Sequence, residues 1–275
     1  NISLADVNEF GSKLLKKGYI QGLVYGNVTE EQARQNTKLL ISQLKIKAEK
    51  WNKVTHQGRL EFAEGEDIIR VVGSEVNNSC FSRLQYFGNN SIEEDAQSRV
   101  IGTYVESPFF LEMRTSRQLG YIVWGGARST KNSSFFIFII QSGDYTADNL
   151  STQADEYTIT LPDSLKQLPD EEYLVIKNAV IEKIKEKPTS IAEKAGKYYT
   201  MAFDYDGNFS RNDELIEAVE NLTKDEAVQV LSKVLDERSF ERATVLLYAK
   251  EHEVGENVRS SFDDINQWKN KRDYQ

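Results

Sequence analysis

The chain has 275 residues, 39% of them hydrophobic, with 13 Phe and 13 Tyr, enough for one large or two modest domains with a real core. A formal net charge of -9 argues against general nucleic-acid binding, which needs clustered Lys and Arg to neutralise phosphates. The longest apolar run, Phe135 to Ile140, is far short of the ~20 residues a membrane helix requires, so no spanning segment is expected.

A single cysteine, Cys80, forbids an internal disulfide and fits a reducing compartment or a bacterial protein. The sequence opens at Asn1 and has methionine only at Met113 and Met201, so the expectation is a piece of a longer precursor.

Leu4, Val7, Phe10 and Leu14 recur at spacings of three and four and predict a helix over 3–17. "YIQGLVYGNV" reads as a strand. Thr29 and Gln32 then form a capping box, in which each side chain satisfies the other's free backbone N–H, opening a helix to about Lys47. The segment 49–65 is polar and aperiodic, which places a boundary near residue 58. Residues 1–57 are too few to close a sheet, so they read as the C-terminal part of a preceding α/β domain plus linker.

Residues 58–275 read as a complete domain. "DIIRVV" and "SCFSRLQYFG" predict strands, and Ser91 with Glu94 caps a helix whose Ile92, Ala96, Val100, Ile101, Tyr104 and Val105 share a face. Pro108 either kinks that helix or starts a second one capped by Ser107. Strands follow near 121–127 and 134–142, where "FFIFII" is apolar on both alternations, as in a central strand. Helices are expected near 148–165, 170–186, 190–202, 211–220 and 224–235, the last behind a capping box at Thr223 and Glu226, with a final strand in "RATVLLYAK". The order predicts an α+β fold, a mixed β-sheet with helices packed largely on one face.

Most local signatures of chemistry are missing. His56 and His252 are far apart, with no second ligand at metal spacing and no H-x-x-E-H, so no zinc site is expected in this chain. "DYDGNFSRND" mimics a calcium loop, but Phe209 and Leu215 stand where Gly and Glu are needed, and a capped turn accounts for it better. No G-x-S-x-G is present, and acidic clusters such as Glu93, Glu94 and Asp95 lie in first helical turns, where they complement the helix dipole.

One stretch remains, "MRTSRQLGYIVWGG" at 113–126. Arg114 offers five donors and a permanent charge, and Tyr121 a phenolic donor, at the junction of a helix end and a strand start. Together they suit gripping peptide carbonyls. From chemistry alone, Arg114 equally suits capping the helix and Tyr121 packing in the sheet.

This stretch resembles the L-R-T-x-x-Q-L-G-Y motif in the C-terminal half of the pitrilysin/insulinase family of zinc metallopeptidases, with Met113 replacing the usual Leu. "GLVYGNVTEEQA" is similar to the strand and helix that end the family's third domain, "SEVNNSC" (74–80) to its N-E-V-H-N-N-C, and "FIIQS" (138–142) to the strand after the motif. The order of elements fits from about residue 20 to 250.

The resemblance implies four related α/β domains, two in each half, around a chamber for peptide substrates, with this chain supplying the end of the third domain and the noncatalytic fourth. The zinc and its inverted H-x-x-E-H motif belong to the first domain, in the N-terminal half, so the chain alone is expected to be inactive. Arg114 and Tyr121 match the arginine and tyrosine that reach the substrate at the zinc, with Gln118, Gly120 and Gly126 as further substrate-binding candidates. The implied partners are peptides and the N-terminal half of the same protein, with no nucleic acid or membrane. A homodimer, and a cytoplasmic or bacterial periplasmic location, are compatible with it. The alternative is a noncatalytic scaffold or partner subunit of a processing-peptidase-like complex.

Overall fold

A computed structural model describes residues 2–14, 16–50, 58, 60–89, 91–130 and 133–274. Contacts divide the chain into two units, residues 1–58 with 187–209, and residues 59–186 with 210–275.

The second unit holds a five-stranded mixed sheet. Its strands are β3 (Glu66–Gly73), β4 (Ser79–Gly88), β5 (Ile122–Thr130), β6 (Ser133–Ser142) and β7 (Glu241–Tyr248), in the order β3-β7-β4-β6-β5. The strands expected at "DIIRVV" and "SCFSRLQYFG" both form but are not neighbours. β7 inserts between them, parallel to β3 (Ile68↔Ala243) and antiparallel to β4 (Arg83↔Thr244).

On β6, Phe136, Phe138 and Ile140 are buried, while Phe135, Ile137 and Ile139 are half-buried, so the strand is apolar on both faces but fully covered on one. The covering layer begins with α3 (Ile92–Phe110), whose capping box at Ser91 and Glu94 forms as expected. Phe109 of α3 meets Phe138 at 4.9 Å between ring centroids, and Val100, Ile101 and Val105 of the same helix are fully buried.

The helix expected over 148–165 is two, α4 (Ala147–Thr158) and α5 (Leu161–Gln167), because Pro162 in the first turn of α5 starts a new helix rather than continuing the old one. Then come α6 (Asp170–Lys185), α8 (Arg211–Asn221) and α9 (Lys224–Val234).

A buried charge cluster ties this layer together. Asp95 of α3, fully buried, accepts from Arg99 at 2.8 Å and from Arg211 at the start of α8 at 2.9 Å. On the outer edge of β3, Ser260 and Ser261 accept from the N–H groups of Val71 and Ile69, both at 2.9 Å, and Arg272 pairs with Glu66, which blunts that edge.

The first unit is built differently. It contains α1 (Leu4–Leu14), α2 (Glu30–Leu44) behind the expected Thr29–Gln32 capping box, and α7 (Ile191–Tyr199), with a π turn at Thr200–Asp204. Its strands β1 (Lys17–Gly18) and β2 (Lys47–Ala48) are two residues each and pair in parallel. The strand expected in "YIQGLVYGNV" does not form; residues 19–28 join neither sheet.

Residues 187–209, expected within the later domain, group with the first unit, and an aromatic cluster gives the reason. Tyr25 meets Tyr198 edge to face at 5.2 Å, and the Lys194 ammonium lies 6.0 Å from both rings. Among the described residues of this unit only Met201 is buried.

Candidate functional site

The stretch singled out in the sequence joins α3 to the edge strand β5. Pro108 sits inside α3 without ending it, and the helix widens at its C-terminal end into a π turn at Leu111–Ser116. Such insertions leave the backbone wound around an extra residue and are common where a side chain must be re-aimed. The N–H of Arg117 reaches the carbonyl of Glu112, and that of Leu119 the carbonyl of Met113, both at 2.9 Å.

The side chains then sort by role. Met113 and Leu119 plug into the core and anchor the turn. Arg117 locks it to α4: its Nε donates to Glu112 at 2.8 Å and its guanidinium to the Gln153 side chain at 2.6 Å and Glu156 at 3.2 Å. Sequence reasoning missed this role for Arg117, although a signal existed: Glu112 and Arg117 are five apart, the repeat of a π turn.

Gln118 adopts a left-handed backbone, φ 52°, uncommon for a residue with a Cβ, and reverses the chain toward the sheet. Gly120 then passes so close to β6 that a Cβ there would lie 2.0 Å from the Gln141 carbonyl oxygen, so only glycine fits.

These constraints bring Arg114 and Tyr121 together. The Arg114 guanidinium donates one N–H to the Gly120 carbonyl at 2.6 Å and lies over the Tyr121 ring, 5.0 Å from its centroid. Tyr121 is 82% exposed, an unusual condition for an aromatic residue at the start of a strand. Helix capping alone does not describe Arg114, since its guanidinium serves the following loop, and Tyr121 does not pack in the sheet. The pair forms a pre-positioned cationic and phenolic surface at the edge of the domain.

Gly126 has a local explanation. It is buried in β5, and a Cβ there would press on the Trp124 ring at 3.0 Å. Trp124 donates its indole N–H to Glu106 at 3.3 Å and is stacked by Arg128 at 4.3 Å. With Ser107, Phe110, Leu111 and Val123, Trp124 and Glu106 line a hollow of about 330 Å³. A larger one of about 500 Å³ lies among α3, α8 and α9, lined by Glu93, Glu214, Glu217 and Glu226 with the amides of Gln97 and Asn221; its lining has no nucleophile and no cationic donor, so its size does not make it the better site.

Among the described residues, no three His, Cys, Asp or Glu side chains are placed to hold a metal ion. The Nδ1 of His252 is 2.8 Å from the hydroxyl of Ser79, which in turn accepts from the Ala249 N–H, a structural arrangement. His56 lies outside the described residues. The calcium-like loop is a turn with Asp206 and Gly207 in the left-handed region. Burial raises the pKa of the Cys80 thiol, which leaves it a poor nucleophile. No helix among the described residues is long and apolar enough to cross a membrane.

Residues 100–199, which contain the whole of this site, match the family model of the C-terminal lobe domain 4 of PQQ synthase PqqF-like proteins. The chain is 22% identical over 240 residues to human insulin-degrading enzyme, covering 86% of this chain and 24% of that protein. It is 24% identical over 235 residues to a nardilysin-like protein of Arabidopsis thaliana, covering 83% and 23%. The crystal structure of pitrilysin shares its fold with a TM-score of 0.84 at 19% identity, over 100% of this chain and 30% of that one.

The chain is thus similar to part of insulin-degrading enzyme, nardilysin-like and pitrilysin proteins. It spans about a quarter of the length of the relatives it matches.

Proposed function

We propose that the chain is the substrate-binding C-terminal portion of a zinc-dependent metalloendopeptidase. The observation that carries this reading is the exposed Tyr121 held under the Arg114 guanidinium by a turn that Met113, Arg117 and Leu119 anchor. Rigid placement is what catalysis needs from such groups: donors that require no reorganisation stabilise charge as it develops. Relatives called insulin-degrading enzyme and nardilysin-like support peptides as the substrate class.

The described residues do not fit zinc; this reading assigns the metal and the group that activates water to the N-terminal half, as the resemblance implies. There a metal would polarise the scissile carbonyl and lower the pKa of water. The residues of this chain act on the other side of the reacting amide. Arg114 and the Tyr121 hydroxyl donate to substrate carbonyl oxygens and gain most as negative charge accumulates on the oxygen under attack. Gln118, left-handed and exposed at the tip of the turn, and Gly120, whose carbonyl fixes Arg114, bound the surface on which the peptide lies. Gly126 supports it by leaving room for Trp124.

Peptide hydrolysis by the full-length protein, with and without a chelator and with this chain alone as control, tests the reading. Chelator-sensitive cleavage by the whole protein and none by the chain alone is expected. Absence of cleavage by a folded, zinc-supplied full-length protein would instead favour a noncatalytic scaffold.

A further inference from the structure

We infer that Arg117 and Asp155 are positioning residues for the Arg114–Tyr121 pair: α4, fixed to the middle of the sheet through Asp155, is the frame against which Arg117 aims the turn. The inference rests on the peptide-site reading of that pair and gives it a support outside the turn.

The pair has little of its own to hold its direction. Arg114 is held by a hydrogen bond to the Gly120 carbonyl and by the exposed ring of Tyr121. Both partners belong to the same short stretch, so these contacts fix the two side chains to each other without fixing where they point. Met113 and Leu119 are buried, but apolar contacts are non-directional and tolerate a rotation that a hydrogen bond does not.

Arg117 supplies the direction. Its Nε pairs with Glu112 inside the turn at 2.8 Å, while the same guanidinium reaches α4 at the Gln153 side chain (2.6 Å), the Gln153 carbonyl (3.3 Å) and Glu156 (3.2 Å). A planar fork bonded on two sides leaves the turn one orientation relative to the helix. The ion pairs to Glu112 and Glu156 are partly exposed and add little stability. Their directions, more than their strength, suit them to aiming.

A frame has to be fixed itself. The buried stripe of α4, Ala147, Leu150, Ala154 and Thr158, faces the core. With about 3.6 residues per turn, Gln153 lies on one flank of that stripe and Ser151 and Asp155 on the other. There Arg83, 4% exposed on the central strand β4, donates to both carboxylate oxygens of Asp155 and to Ser151 at 3.1 Å, and its Nε to Thr244 of β7 at 3.0 Å. Arg242 of β7 donates to Asp155 as well, at 3.2 Å. A buried guanidinium that loses its carboxylate is costly, so this attachment resists any shift of the helix. A continuous chain of contacts thus runs from the middle strands through Asp155, α4, Gln153 and Arg117 to the turn that presents Arg114 and Tyr121.

Hydrolysis of a quenched fluorescent peptide by the full-length protein, below the unfolding midpoint of every variant, tests the inference. Arg117→Ala should lower kcat by about 10-fold and change KM by less than about 3-fold, a loss expected when a catalytic group is misplaced by a fraction of an ångström. Arg117→Lys, which keeps the charge without the fork, should fall nearly as far. Joined to Tyr121→Phe, Arg117→Ala should give a total loss of about 100- to 200-fold, short of the roughly 1,000-fold to which independent losses would multiply. Asp155→Asn should cost about 3-fold alone and less than about 1.5-fold on the Arg117→Ala background, where the link to the turn is already cut. If Asp155→Asn does not fold, Ser151→Ala, which removes one Arg83 bond without unpairing a buried charge, replaces it in the same cycle.

An intact kcat for Arg117→Ala beside an impaired Tyr121→Phe would overturn this inference and leave the peptide-site reading standing, as would losses that simply multiply. An intact kcat for Tyr121→Phe would overturn both.

Discussion

Phe10 and Phe138 are the same side chain in two circumstances. Phe10 lies on α1 of the first unit, 66% exposed; Phe138 lies on β6 of the second, 1% exposed, against Phe109 and Phe136. Both belong to well-formed apolar patterns, one of helical period and one in a strand. A pattern states which face an element offers, and whether that face is buried depends on what the chain provides to cover it. The second unit provides a helical layer and a tail along β3, whereas the first provides almost nothing.

The comparison breaks most directly by truncation. Phe138→Ala should destabilise the second unit by about 3–5 kcal/mol, the cost of emptying an aromatic core site. Phe10→Ala should change the stability of this chain by no more than ~0.5 kcal/mol, as exposed substitutions do. Denaturant unfolding followed by near-ultraviolet circular dichroism reads both, and equal effects would mean that the two units share one core.

Asp95→Ala is expected to cost a similar amount, about 3–5 kcal/mol, because it removes the buried carboxylate that both Arg99 and Arg211 donate to. Asp6→Ala on α1, which removes a surface bond to Ser3, should cost far less in the same experiment.

Gly120→Ala should follow at about 1–3 kcal/mol, since the methyl group meets backbone rather than a side chain able to swing away. Gly22→Ala, in the first unit with open space around it, should be close to neutral.

The smallest effect is a pH dependence confined to the second unit. The Arg272 hydrogen bond holds the Glu66 carboxyl below its ordinary pKa. A carboxylate depressed on folding contributes stability that is present above its unfolded pKa and lost as pH falls through the folded value. The tail should therefore loosen on the acid side of the usual carboxylate range, and Arg272→Ala should abolish that step. Exchange rates of the Ile69 and Val71 amides against pH follow it; a step that survives the substitution would assign it to other carboxylates.

What was legible in the sequence divides along the same line. The capping boxes at Thr29, Ser91 and Thr223 all form, because each is a contact between residues three apart. Strands β3 to β7 and the mixed sheet were readable from local apolar patterns. The insertion of β7 between β3 and β4 was not, since it joins residues more than 150 positions apart. Nor was the grouping of 187–209 with the first unit, which rests on rings of Tyr25 and Tyr198 meeting through space. The strand expected in "YIQGLVYGNV" failed because its residues join neither sheet, and no local pattern says whether a sheet will take a strand in.

At the site, Arg114 and Tyr121 stood out by chemistry and by resemblance, but their stacking did not. It depends on the π turn, the left-handed Gln118 and the passage of Gly120 beneath β6, none of which has a simple period. Arg117 was overlooked because its partners on α4 are far away in the chain.

The most direct measurement is kcat/KM for peptide hydrolysis by the full-length protein carrying Tyr121→Phe, and separately Arg114→Ala. Tyr121→Phe removes only a hydroxyl from an exposed side chain, so it separates contact with substrate from folding. The account predicts a fall of about 100-fold for each, carried largely by kcat, with the unfolding midpoint unchanged for Tyr121→Phe. Kinetics within ~2-fold of the unaltered enzyme for both variants would contradict it and leave the turn a structural element.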